Sequence, residues 1–188
     1  MKKVIAAINM TLDGFCDHTA MIADEEIHQH YNELLNSAST ILYGRITYQL
    51  MEYWQTIIKN PTGIKAMDEF AVTIDNIPKI VFSNTLKNVE WKTAKLAKRD
   101  LKEEVLELKQ GVGKDILIGS RTLIVALTNL DLIDEFQLCV HPIILGKGLK
   151  PLLKEIRTRI DLKFLKTKTF GCGAVILYYA PKKKLSLT

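Results

Sequence analysis

The sequence predicts an α/β three-layer sandwich, with a mainly parallel central sheet, helices on both faces and an antiparallel C-terminal hairpin. Two patterns carry this reading. Short apolar, β-branched runs ("VIAAIN", "ILYG", "KIVF", "DILIG") recur between longer stretches with apolar residues at helical spacing, an alternation that builds parallel sheets from βαβ units. Near the C-terminus, two extended runs are instead joined by a short "GCG", which predicts a hairpin and hence an antiparallel edge.

Lys3 to Met10 is the first strand, and "TLDGFCDH" a loop turned by Asp13-Gly14. A helix begins at Asp24, with acids in its first turn and Ile27, Tyr31, Leu34, Leu35 and Ala38 on one stripe. Thr40 to Tyr43 is a buried strand, and Ile46 to Trp54 reads as one helix with Thr47, Leu50, Met51 and Trp54 on one side. Pro61-Thr62-Gly63 is a loop before the helix in "IKAMDEFAVTID". The strand "KIVFSN" follows, then an extended piece near Val89 to Lys92. "RDLKEEVLELKQG" is an amphipathic helix with Leu101, Val105 and Leu108 inward, ended by Gly111. "DILIGS" is a strand and Arg121 to Leu130 a helix. Phe136, Leu138 and Val140 alternate with Glu135, Gln137 and Cys139, predicting a strand with one polar face. Leu162 to Phe170 and Ala174 to Tyr179 form the hairpin.

The 188 residues suit one domain, and 47% hydrophobic with 25% charged residues is ordinary for a globular chain. No apolar run approaches the ~20 residues needed to span a bilayer. The opening "MKKVIAAINM" has a basic pair, but its apolar stretch stops at Asn9 without a cleavage pattern, so a cytoplasmic protein is expected. Net charge is +5 and scattered; the run Lys182, Lys183 and Lys184 reads as a solvated tail rather than a nucleic-acid arm. Cys16, Cys139 and Cys172 lack CxxC spacing, so reduced thiols are expected, with neither a disulfide framework nor a metal site.

Three strands end alike: "ILYG" runs into Arg45 and Thr47, "IVF" into Ser83, Asn84 and Thr85, and "DILIG" into Ser120, Arg121 and Thr122. In open α/β sheets ligands collect outside the carboxyl ends of strands. Two of these junctions also open a helix, whose free N–H groups favour an anion. Gly44 and Gly119 would admit a phosphate close to the backbone, and Arg45 and Arg121 would add charge-assisted bonds. Plain helix capping is the competing account of each junction. Neither GxxxxGK[ST] nor a GxGxxG opening the first helix is present. An arginine rather than an acid at such a position suits a 2′-phosphate, pointing to NADP(H).

"VIAAINMTLDGF", "LYGRITY", "VFSNTL", "DILIGSRTLIVAL", "LDLIDEFQLCVHPIILGKGLKPL" and "FGCGAVILYY" together resemble the dihydrofolate-reductase-like superfamily. More closely, they resemble the reductase domain of bifunctional riboflavin-biosynthesis deaminase/reductases and its stand-alone bacterial relatives. The resemblance covers nearly the whole chain and implies NADPH lying across the strand ends. Gly44, Arg45 and Thr47 would then meet the adenosine phosphate. Ser83, Asn84 and Thr85 would lie beside the adenosine, with Gly119, Ser120, Arg121 and Leu123 along the pyrophosphate. The zinc deaminase signature, H-x-E with P-C-x-x-C, is absent. So is the D-P-x-L-x-x-R segment with which pyrimidine reductases hold a phosphoribosyl substrate; "YQLMEYWQTIIKNP" stands there instead. Where dihydrofolate reductases carry a carboxylate on the first helix, an ungapped count lands on His28.

Hydride transfer to a C=N bond needs a proton, which a placed acid delivers. Asp13 in "TLDG" matches the family's "S-L-D-G" and competes with a turn-forming role. Asp24 is the second candidate and competes with helix capping; His28 is the third. Phe15, Tyr48 and Trp54 would stack on a planar ring or simply pack. The family's "P-x-x-L-G-x-G" implies that Pro142 and Gly146, with Gly148, shape the substrate side. The expectation is an NADPH-dependent reductase of a small pyrimidine- or pteridine-like heterocycle, without nucleic-acid or membrane partners. The alternatives are a non-catalytic NADP(H)-binding module and a reductase of xenobiotic carbonyl or nitro compounds. The resemblance also implies a homodimer, for which "AVILYYA" offers an apolar surface.

Overall fold

The structure, a computed structural model, describes residues 1–21, 23–148 and 151–182. These form eight strands in one sheet: β1 (Val4–Thr11), β2 (Ala38–Gly44), β3 (Lys79–Phe82), β4 (Ala94–Leu96), β5 (Asp115–Ile118), β6 (Glu135–His141), β7 (Leu162–Thr169) and β8 (Val175–Pro181). The spatial order is β4-β3-β2-β5-β1-β6-β8-β7. Every pairing from β4 to β6 is parallel, whereas β8 runs antiparallel to both β6 and β7. The predicted sandwich with a closing hairpin is the fold observed.

Alternation along the strands divides the core. Val4, Ala6 and Ile8 of β1 face one layer, formed by α5 (Leu101–Gln110) and α6 (Arg121–Asn129) through Val105, Ile124 and Leu127. Ile5 and Ala7 face the other, formed by α1 (Glu25–Asn36) and α4 (Lys65–Asn76) through Leu34, Leu35, Phe70 and Ile74. With α1 leaving β1 toward β2, and α6 leaving β5 to cross over β1 toward β6, the chain reverses direction around β5 and β1. That reversal parts the connecting segments at the carboxyl ends of these strands.

Four local expectations are corrected. The helix expected over Ile46 to Trp54 is two, α2 (Arg45–Met51) and α3 (Tyr53–Lys59), broken at Glu52. Tyr48 packs on Trp91 and Trp54 on Phe70, on either side of Glu52, whose own backbone stays in the right-handed helical region. The strand near Val89 to Lys92 forms instead at Ala94–Leu96, because Trp91 is drawn into the core and its indole N–H donates to Asp75 at 2.5 Å. The polar side of β6 is buried too, with Gln137 7% and Cys139 0% exposed, because α1 and the hairpin cover it. For the same reason "AVILYYA" is only half a surface: Ile176 and Tyr178 pack with Ile27 and Phe170. β7, the true edge, is exposed throughout. Of the C-terminal lysine run, Lys183 and Lys184 lie outside the described residues.

Candidate active site

The three similar strand ends converge. β3, β2 and β5 are immediate neighbours, so Ser83, Gly44 and Gly119 follow their carboxyl ends side by side. Contact at the centre is tight: a Cβ on Gly44 would lie 2.9 Å from Ser120 Oγ and 3.2 Å from Thr122 Oγ1. A side chain at 44 would therefore have to displace the Ser120 hydroxyl of the neighbouring strand end. Gly119 has more room, its nearest neighbour being the Tyr43 ring at 3.7 Å.

The side chains around these ends differ in how free they are. The exposed Arg45 guanidinium meets only Gln49 Oε1, at 3.2 Å among the described residues, which leaves most of its donors for a ligand. Thr47 beside it is half-buried. Ser83 Oγ accepts from the backbone amides of Thr85 and Leu86, closing a local turn that presents Asn84 and Thr85 to solvent. Ser120 is buried with its hydroxyl 3.3 Å from that of Thr122. Arg121 is turned elsewhere, onto Pro151 O and the Glu155 carboxylate at 3.0 Å, and Leu123 belongs to the core.

Across β1 lies the second half of the site. The Asp13 carboxylate accepts from Thr11 Oγ1 at 2.5 Å, Leu145 N at 3.1 Å and Gly146 N at 2.7 Å. The Thr11 hydroxyl and then the Gly146 amide hold its pKa below the usual carboxylate value. Asp13 is thus an ionised clamp between β1 and the segment after β6, where Gly146 adopts a φ of +74°. Phe15, half-buried, hangs from the same corner by its amide, which donates to Thr11 Oγ1.

A cavity of about 300 Å³ opens beside it, lined by Asp24, His141, Pro142, Ile143 and Cys172. Asp24 caps α1 by accepting from Ile27 N at 2.9 Å. Burial pushes its carboxyl up, but the Ile27 amide and the Cys172 thiol outweigh burial and leave it below its ordinary value. Behind the cavity, His141 Nε2 lies 3.1 Å from Asn9 Oδ1 and 3.8 Å from Cys139 Sγ, and Tyr31 donates its hydroxyl to the same Asn9 oxygen. Burial holds the His141 imidazole below its usual pKa, with Asp24 opposing. Burial likewise pushes the Cys172 thiol up, and the Cys139 thiol up to about 12.

Other candidates lie outside this cavity. His28 Nδ1 donates to Asp24 O at 2.8 Å while its ring packs edge-on against Trp54 and Phe70. Tyr48 is buried, its hydroxyl accepting from Trp91 N. Sequence reasoning gave no role to Asn9, Tyr31, His141 and Cys172, which the fold gathers from β1, α1, β6 and the hairpin turn. One signal was present: Asn9 and Thr11 are polar residues on a single face of an otherwise apolar strand end. Among the described residues there is no group of three or more His, Cys, Asp or Glu able to hold a metal, and no helix long and apolar enough to cross a membrane.

Parallel β1 to β6, the reversal around β5 and β1, and the antiparallel β8 define a dihydrofolate-reductase-like fold. Within that class the chain belongs to the family of RibD C-terminal domains, whose pattern matches residues 2–176. It is 35% identical over 182 residues to the uncharacterized protein YyaP of Bacillus subtilis, covering 95% of this chain and 94% of that one. In structure it resembles a Thermotoga maritima diaminohydroxyphosphoribosylaminopyrimidine deaminase/5-amino-6-(5-phosphoribosylamino)uracil reductase. There the TM-score is 0.62 and the identity 19%, over 96% of this chain and 57% of the larger bifunctional one. It also resembles the Enterococcus faecalis dihydrofolate reductase complexed with NADP(H), at TM-score 0.62 and 13% identity over 96% and 97% of the two chains. At such identities the structural likeness speaks for the fold alone.

Proposed function

We propose that this protein is an NADPH-dependent reductase that passes a hydride to a small, flat pyrimidine- or pteridine-like substrate. The observation that carries the proposal is the adjacency of the β3, β2 and β5 ends, with the exposed Arg45 guanidinium, bonded to Gln49 through one nitrogen, on one of them. Membership of the RibD C-terminal family agrees with it. Arg45 and Thr47 would hold the 2′-phosphate, the turn at Ser83 to Thr85 the adenosine, and Gly119 with Ser120 the pyrophosphate. When bound, NADPH supplies the hydride. The substrate would enter the cavity between Asp24, His141 and Cys172, where the carboxylate accepts from a ring N–H and the Asp13-clamped segment forms a wall. Loss of the D-P-x-L-x-x-R segment argues against a phosphoribosyl tail on that substrate. A homodimer in the cytoplasm is part of the same proposal, with the exposed Phe164 and Leu165 of β7 at its interface.

The test is thermal unfolding with each nucleotide, followed by NADPH oxidation in the presence of dihydrofolate or aminopyrimidine ribityl compounds. NADPH raises the melting temperature and NADH raises it much less. Equal shifts for both, or none, overturn the cofactor assignment. NADPH binding without turnover across the heterocycle series would leave a non-catalytic NADP(H)-binding module as the correct description.

A further inference from the structure

The side chains bordering the cavity between α1, the end of β6 and the hairpin turn can be accounted for one by one. Pro142 and Ile143 are apolar, and the Cys172 thiol is directed at the Asp24 carboxylate. That carboxylate also receives the Ile27 amide, yet an ionised carboxylate offers about four lone-pair sites and retains room to accept. His141 is the less obvious member. It is 2% exposed, and its Nε2 lies 3.1 Å from Asn9 Oδ1, the oxygen that also accepts from the Tyr31 hydroxyl. An amide oxygen can only accept, so Nε2 carries the proton. The imidazole is neutral at pH 7, burial holding its pKa below the usual value against the opposing field of Asp24. Nδ1 then carries the lone pair. It has no hydrogen-bond partner among the described residues, and the fully buried polar atoms that lack one belong to His30, Tyr43, Glu104 and Gln137 instead. The Nδ1 edge therefore borders open space, which for so enclosed a side chain is the cavity it lines. Asp24 and His141 are thus two acceptors facing one small space, in which no lining side chain has a donor to spare.

We propose that His141 is a specificity-determining residue, its Nδ1 accepting from a second donor on the substrate while Asp24 accepts from the first. The substrate is then an amine-substituted heterocycle with two donors on one edge, such as neighbouring amino groups, and not a compound presenting a carbonyl or nitro oxygen there. This deepens the reductase reading and rests on it for treating the cavity as the substrate site. An oxygen at that edge would set lone pair against lone pair. A site built to receive an N–H rejects a ligand without one, because the buried acceptor is left unpaired. Asn9 and Tyr31 are positioning residues, since the bond made at one ring nitrogen decides which tautomer the other presents.

The probes are 4,5-diaminopyrimidine and 4-aminopyrimidine, which differ by one amine, titrated into the full chain with and without NADPH. Long-range proton–nitrogen spectra, with His141 assigned by its absence from His141→Gln, show the Nε2–H tautomer in the free protein. The diamine moves the Nδ1 resonance and leaves the tautomer unchanged. Wild type binds the diamine at least about tenfold more tightly than the monoamine, the worth of one hydrogen bond. His141→Leu removes that preference, and His141→Gln, whose amide oxygen can accept, keeps part of it. An Nδ1–H tautomer, an Nδ1 resonance unmoved by the diamine with and without NADPH, or equal affinities for the two probes overturns the proposal. None of these outcomes bears on the cofactor assignment, which stands or falls on the melting shifts with NADPH and NADH.

Discussion

His30 makes acid stability a sharp test of the packing between α1 and the hairpin. It is 8% exposed, its ring centroid 5.8 Å from that of Phe170 and 5.5 Å from that of Tyr31, and its Nε2 has no hydrogen-bond partner among the described residues. Burial first, then the nearby Lys168, drives its pKa from 6.5 to about 4; Lys166 adds to this and Glu33 opposes it. Between pH 6.5 and about 4 the unfolded chain binds a proton that the folded chain refuses, so stability falls as pH falls through that window and levels off below it. At about 1.4 kcal/mol per pH unit, the gap corresponds to a loss of roughly 3 kcal/mol. That is a large share of a typical domain stability of about 5–15 kcal/mol. Urea unfolding of the wild type and His30→Phe, from about pH 7.5 down to 4.5, measures the effect as a difference of slopes. The neutral replacement removes most of the acid loss, while the contribution of His141, common to both proteins, cancels. Parallel stability curves for the two proteins would refute the account of His30 as a buried, unpartnered imidazole.

The other predictions concern the site and its supports. Gly44→Ala drives a methyl against Ser120 Oγ and Thr122 Oγ1; calorimetry finds a loss of about 1–3 kcal/mol together with the NADPH-induced stabilisation, and adding Ser120→Ala restores part of both. Asp13→Ala frees the amides of Leu145 and Gly146, so their hydrogen exchange quickens selectively while exchange in the core of β1 is unchanged. Asp24→Asn keeps an acceptor for the α1 cap but loses the charge facing the cavity; steady-state kinetics show KM for the heterocycle raised with kcat within a few-fold of wild type. Phe164→Glu on β7 turns a dimer into a monomer, read by light scattering, without lowering the melting temperature of the monomer.

The sequence conveys the layers better than the joints between them. Strand and helix identities follow from apolar spacing because burial enforces it, and "DILIG" or "KEEVLEL" can be read alone. The broken helix at Glu52 is not legible, because neither glycine nor proline marks it and Glu52 itself keeps right-handed helical angles. Gln137 and Cys139 look like the outward face of a strand until α1 and the hairpin cover them. The same holds at the site. The junctions at Gly44, Ser83 and Gly119 are visible one by one, whereas their adjacency depends on β2 pairing with both β3 and β5, a non-local fact. Arg121 has the residue type and position expected of an anion ligand, yet Glu155 and Pro151 engage it, a partnership its neighbours in the chain do not announce. Asn9, Tyr31, His141 and Cys172 come from four separate elements, so no local spacing could have grouped them.

The arrangement also bears on the source of the proton in any reduction here. Asp13 is held ionised by three donors, and its carboxylate is occupied in fastening the segment that carries Gly146. Asp24 faces the cavity, but its pKa is likewise lowered, so at neutral pH it accepts hydrogen bonds rather than giving up a proton. The Cys172 thiol keeps its proton because its pKa is raised, and a thiol is a weak donor. A carboxylate fixed at a helix start beside a buried, neutral imidazole is suited to binding a ring N–H and poorly suited to general acid catalysis, which needs a pKa near the working pH. Cys172 is exposed, so water reaches the mouth of the cavity and can deliver the proton that neither carboxylate holds. Under the proposed function the acid would then be solvent, and the work of Asp24 would lie in binding and orienting the substrate for hydride transfer.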